Sequence, residues 1–111
     1  MDIKAPLDRY REVTGAAVDP EDVARSAAFL RDSGTPVLFR TTVVPGLIGP
    51  EDIESIGLWL RGAPLYQIQQ FSPVGTLDPE YGRIRPYGRD EVRRLADAAR
   101  PFFGEVILEG I

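Results

Sequence analysis

The 111-residue chain contains no cysteine and no histidine. The first absence excludes disulfides, a thiol nucleophile and any thiolate metal site within these residues. The second removes the commonest general base and the imidazole metal ligand. Chemistry at this surface must therefore use Lys, Arg, Asp, Glu, Tyr, Ser or Thr, or borrow its reactive centre from elsewhere. Lysine is scarce as well: Lys4 stands alone, and every other basic residue among the 13 is arginine. No apolar run reaches membrane-spanning length, and the start of the chain has neither the basic opening nor the apolar stretch of a signal peptide, which predicts a cytoplasmic protein. A net charge of −4 with no basic stripe argues against nucleic acid or a membrane surface as partner. Glycine-rich phosphate loops, Walker sequences and Ser/His/Asp arrangements are missing too.

What is present reads as one soluble domain able to bury a core, with 43% apolar and 27% charged residues. The punctuation repeats. Asp19 caps a helix predicted over Pro20 to Ser33, with Pro20 at its first position, Glu21 and Asp22 in its first turn, and Gly34 and Pro36 at its stop. Gly49, Pro50, Glu51 and Asp52 open a second helix that ends near Gly62 and Pro64. Gly88, Asp90 and Glu91 open a third that ends near Pro101 and Gly104. Val23, Ala27 and Leu30, then Ile53, Ile56 and Leu60, then Val92, Leu95 and Ala99 recur at helical spacing and are the predicted core faces. Between the helices lie β-rich runs, "PVLFRTTVVPG", "PLYQIQQFSP" and "EVILEG", and "DIKA" precedes them all. The expected order is four strands alternating with three main helices, that is, βαβ units and a parallel sheet. "VLFRTTVV" is apolar enough to expect cover on both faces. Two loops break the rhythm: "PLDRYREVTGAAV", with a helical turn around Arg9 to Val13, and "SPVGTLDPEYGRIRPYG", longer than a connection needs.

In parallel α/β architectures the working residues sit at the carboxyl ends of the strands. Here those ends carry Asp2 and Lys4, Arg40 and Thr42, and Gln69 and Gln70. Alternation puts Asp2 and Lys4 on one strand face against Ile3 and Ala5, and Leu38, Arg40 and Thr42 against Val37, Phe39 and Thr41. Plainer readings stand beside the functional one. Asp2 and Lys4 can be a solvated terminus. Arg40, read as a buried guanidinium in an apolar strand, needs an anionic ligand or an internal pair with Asp2. Gln69 and Gln70 can mark the wet face of an edge strand. Trp59, Phe102 and Phe103 are read as core.

"DIKAPLDRYREVTG", "FRTTVVPGL" and "YQIQQFSPVGTLDPEYGRIRPYGRDEV", in this order, resemble the C-terminal half of the radical S-adenosylmethionine enzymes that activate glycyl-radical proteins. Within that group the resemblance is to the type that activates anaerobic ribonucleoside-triphosphate reductase, with pyruvate formate-lyase activating enzyme as a sibling. The resemblance covers nearly the whole chain. It implies the second half of a partial (β/α)6 barrel over residues 1–111, whose missing half would hold a 4Fe-4S cluster in a CxxxCxxC loop. The complete enzyme, so implied, cleaves S-adenosylmethionine reductively and places a radical on a glycine of its partner, with flavodoxin or ferredoxin as electron donor. Asp2 and Lys4 would approach the methionine end of S-adenosylmethionine, Asp2 through a monovalent cation. Arg40 would contact the same cofactor, with Thr42, Gln69 and Gln70 lining the barrel. The chain departs from the family pattern in lacking the cluster cysteines, the GGE strand and the histidine that some siblings place after the sixth strand. It is therefore expected to be a fragment, inactive alone and without a tightly bound cofactor. The alternatives are a self-contained module binding an anion or a protein partner, and a split subunit completed by a cysteine-bearing chain.

Overall fold

The computed structural model describes residues 1–15, 17–72 and 84–110. After a 3₁₀ turn at Leu7–Arg9, the elements are α1 (Tyr10–Thr14), α2 (Pro20–Asp32), β1 (Leu38–Val43), α3 (Pro50–Trp59), β2 (Leu65–Gln70), α4 (Arg89–Ala99) and β3 (Glu105–Glu109). Among the described residues the fold is α/β, with four α-helices and a three-stranded parallel sheet in the order β1-β2-β3. Most of the predicted long loop, from Pro73 to Arg83, lies outside the described residues.

The helix starts follow the chemistry of their first turns. Asp19 accepts the Glu21 N–H at 3.0 Å, and the Asp52 and Glu91 carboxylates accept the Gly49 and Gly88 N–H groups at 2.8 and 3.2 Å. Each such bond satisfies a donor that the helix itself leaves free near its start. Gly34 and Gly62 follow α2 and α3 with φ of +76° and +94°, a left-handed conformation that a side chain resists.

The expected first strand does not run as a full strand. It touches the sheet through one parallel bridge, Asp2 to Arg40, with the Ile3 N–H donating to the Arg40 carbonyl at 2.7 Å and the Arg40 N–H to the Met1 carbonyl at 3.0 Å. Pro6 lacks an N–H and leads straight into the 3₁₀ turn, so the segment leaves the sheet early.

The sheet is two-sided in character. Phe39, Thr41 and Val43 of β1 and Tyr66 and Ile68 of β2 are buried, as are Ile3 and Ala5. They meet Ala27 of α2, Ile53, Ile56 and Leu60 in and just after α3, and Val92, Leu95, Ala96 and Ala99 of α4, forming one continuous core. Inside it the Tyr66 hydroxyl donates to Thr41 Oγ1 at 2.6 Å, which satisfies both buried groups, and the Tyr66 ring stacks on Phe103 with centroids 4.4 Å apart. Gly57 makes room for Phe102, whose ring would lie 2.3 Å from a Cβ there. Residues of the opposite face, Arg40, Thr42, Gln67 and Gln69, are exposed or half-buried. β1 thus alternates instead of being covered on both sides, because a guanidinium and a hydroxyl interrupt its apolar run and stay wet.

Candidate functional site

The parallel register aligns Arg40 with Gln67 and Ile107, and Thr42 with Gln69 and Glu109, in rungs across the open face. Beside the first of these rungs lies the Asp2–Lys4 segment. The bridge at Arg40 brings Asp2 onto the same face, and Ile3 and Ala5, turned into the core, leave Asp2 and Lys4 pointing out. Arg40 Nε donates to Asp2 Oδ1 at 2.8 Å, and Lys4 Nζ stands 3.8 Å from Asp2 Oδ2. This corrects the expectation of a buried guanidinium. The Arg40 side chain is 47% exposed, and Asp2 is its internal partner.

These residues border a cavity of about 480 Å³ at the carboxyl end of β1. Asp2, Lys4, Arg40 and Thr42 form its polar side, joined by Thr14 of α1. Its apolar side comes from Val13, from the turn that follows β1 with Val44, Leu47 and Ile48, and from Phe71 just past β2. The hydrogen bond from Arg40 holds the Asp2 carboxyl below the ordinary carboxylate range; partial burial opposes this and Lys4 adds to it. Asp2 in turn raises the Arg40 guanidinium above its usual value. The result is two cations around one carboxylate, with an apolar wall opposite.

Four of the six predicted site residues, Asp2, Lys4, Arg40 and Thr42, meet at this cavity. Gln69 lies on the same sheet face but outside the cavity lining, and its Oε1 accepts from Gln67 Nε2 at 3.3 Å. Gln70 does not share that face. Adjacent strand residues point to opposite sides, and the Gln70 side-chain amide donates to the Tyr87 carbonyl at 2.7 Å while its buried Oε1 has no hydrogen-bond partner among the described residues. Sequence reasoning did not single out Arg9 or Tyr87, and it read Asp52 only as a helix-capping residue. All three hold the cavity's apolar wall through partners some forty residues away in sequence, a distance at which no local pattern signals a contact.

The chemistry within reach is recognition of a small charged group. Among the described residues no group of three or more His, Cys, Asp or Glu side chains could hold a metal ion. Among the same residues no helix is long and apolar enough to cross a membrane.

No protein-family model matches the chain. Among curated proteins it is similar to a candidate glycyl-radical enzyme activating enzyme of Methanocaldococcus jannaschii, with 30% identity over 115 aligned positions. The alignment takes in 100% of this chain and 48% of that protein, so the chain spans about half the length of the curated relative it matches.

Proposed function

We propose that residues 1–111 form the C-terminal half of a radical S-adenosylmethionine domain of the glycyl-radical activating type, a partial parallel (β/α) barrel completed by a cluster-bearing half. One observation carries this reading. The sheet is parallel yet buries residues on one face only, and on the other face it gathers Asp2, Lys4 and Arg40 at the carboxyl end of its first strand. Parallel sheets are ordinarily covered on both sides. A barrel turns such a face inward, where a charged ligand replaces water. The similarity to the M. jannaschii protein supports the same assignment.

In this reading Lys4 and Arg40 bind the carboxylate of the methionine end of S-adenosylmethionine. Asp2 takes its amino group or a monovalent cation. Thr42 adds a hydroxyl, and the Val44, Leu47 and Ile48 wall packs against the apolar part of the ligand. Gln69 lies farther along the lumen. Bound beside a reduced 4Fe-4S cluster, S-adenosylmethionine supplies one-electron chemistry. The cluster itself does not fit this chain, which has no cysteine to ligate it. The partner of the whole enzyme is a glycyl-radical protein such as anaerobic ribonucleoside-triphosphate reductase, with flavodoxin or ferredoxin as donor, in the cytoplasm.

Titration of the isotopically labelled chain with millimolar S-adenosylmethionine tests the site. Amide resonances of Asp2, Lys4, Arg40 and Thr42 should shift weakly and together, and shifts absent there or confined elsewhere overturn the assignment. Reconstitution with iron and sulfide should give no stoichiometric 4Fe-4S spectrum, and such a spectrum would contradict the division of labour. A second reading, a self-contained module that binds an anion through the same cavity, is favoured by the continuous core and by the internal Asp2–Arg40 pair. It predicts cooperative unfolding as a monomer, whereas half a barrel should self-associate through its open face.

A further inference from the structure

Much of the apolar wall of the cavity is one turn, Val44 to Ile48, closed by the Leu47 and Ile48 N–H groups donating to the Val44 carbonyl at 3.0 and 2.9 Å. Its two consecutive carbonyls point to different partners. Arg9 Nη1 donates to the Leu47 carbonyl at 3.0 Å and to Asp52 Oδ1 at 2.5 Å, while its Nε donates to Glu12 at 2.8 Å. The second oxygen of Asp52 accepts the Gly49 N–H at the start of α3. From the other side, the Tyr87 hydroxyl donates to the Ile48 carbonyl at 2.7 Å, and the Tyr87 backbone is itself held by Gln70 at the end of β2. Neither residue lines the cavity. Both act on it through the turn.

We propose that Arg9 and Tyr87 are positioning residues that clamp the cavity's apolar wall from two sides and set its distance from Lys4 and Arg40. The geometry suits the task. A guanidinium can bond a carbonyl and a carboxylate at once, which ties the turn to the first turn of α3. A phenol on a half-buried ring supplies a single directed donor. One pin comes from the 3₁₀ turn that follows the Asp2–Lys4 segment, and the other, through Tyr87 and Gln70, ties the wall to the end of β2. The consequence for ligand affinity rests on the proposed S-adenosylmethionine site, whereas the clamp itself does not.

Amide hydrogen exchange on the full chain separates the two. In Tyr87→Phe, which keeps the ring, exchange at Leu47 and Ile48 should accelerate about fivefold or more, the scale of one lost hydrogen bond, with Ile68 in β2 unchanged. Arg9→Gln should do the same, and Arg9→Lys should recover part of the protection by keeping the charge beside Asp52. Ser33→Ala, which removes a hydroxyl bonded to the Leu30 carbonyl at the far end of α2, should leave the turn untouched. Unchanged exchange at Leu47 and Ile48 in both Tyr87→Phe and Arg9→Gln overturns the clamp, as does an equal acceleration across β2. The same variants titrated with S-adenosylmethionine should show at least about threefold weaker shifts at Arg40 and Thr42. If wild type shows no shifts there while the variants still free the turn, the clamp stands and the cofactor assignment falls.

Discussion

Two faces of one sheet have been put to opposite uses. On the helix side Phe39, Val43, Tyr66 and Ile68 are fully buried, and the Thr41 and Tyr66 hydroxyls pair with each other. One residue along each strand the character reverses. Arg40 sits between Phe39 and Thr41, yet its guanidinium is half in water and bonded to a half-exposed carboxylate. The contrast separates what holds the fold from what the fold displays. Removing side chains from the first face should cost stability, and removing them from the second should cost recognition.

The sharpest way to break that division is to substitute neighbours on β1. Phe39→Ala should lower unfolding free energy by about 3–5 kcal/mol in denaturant titration, against less than about 1 kcal/mol for Arg40→Ala, whose ion pair is solvent-screened. Comparable losses would mean that the open face is structural. Next in size, Gly57→Ala forces a Cβ against the Phe102 ring and should destabilise by about 1–3 kcal/mol. Leu58→Ala, at an exposed neighbouring position on α3, should change little under the same measurement. Smaller again, Tyr66→Phe keeps the stacking on Phe103 but leaves Thr41 Oγ1 without its donor, an expected loss of about 1 kcal/mol.

The smallest effect belongs to Asp2. Its folded-state value lies below 3.8, so its contribution is fully present above the unfolded value and is lost as pH falls through the lower folded one. Asp2→Asn should therefore flatten a shallow fall in stability seen only below about pH 4 in wild type, followed by thermal midpoint against pH. An undiminished slope in the variant would place that acid sensitivity on other carboxylates.

Much of this arrangement could be read before any coordinates. The acid-rich first turns located the starts of α2, α3 and α4, and the Gly and Pro stops fell a few residues past their ends, because backbone satisfaction at helix termini is local chemistry. Alternation correctly paired Asp2 with Lys4 and Arg40 with Thr42. The same rule separates Gln69 from Gln70, and grouping them overlooked it. The first strand is shorter than alternation alone implies, because Pro6 has no N–H to offer the sheet and turns the chain into the 3₁₀ turn. Arg9 with Asp52, and Tyr87 with Ile48, escaped for a different reason. Each contact spans more than thirty-five residues, and an arginine or a tyrosine in a polar stretch has no periodicity to betray its partner.

Read strand by strand across the open side, the β1 margin carries Lys4 and Arg40 around Asp2, β2 carries the neutral amides of Gln67 and Gln69, and β3 carries the carboxylates of Glu105 and Glu109, with Ile107 opposite Gln67. The two margins differ in sign, so a covering layer that brings acid to the β1 margin and base to the β3 margin is favoured over its mirror placement.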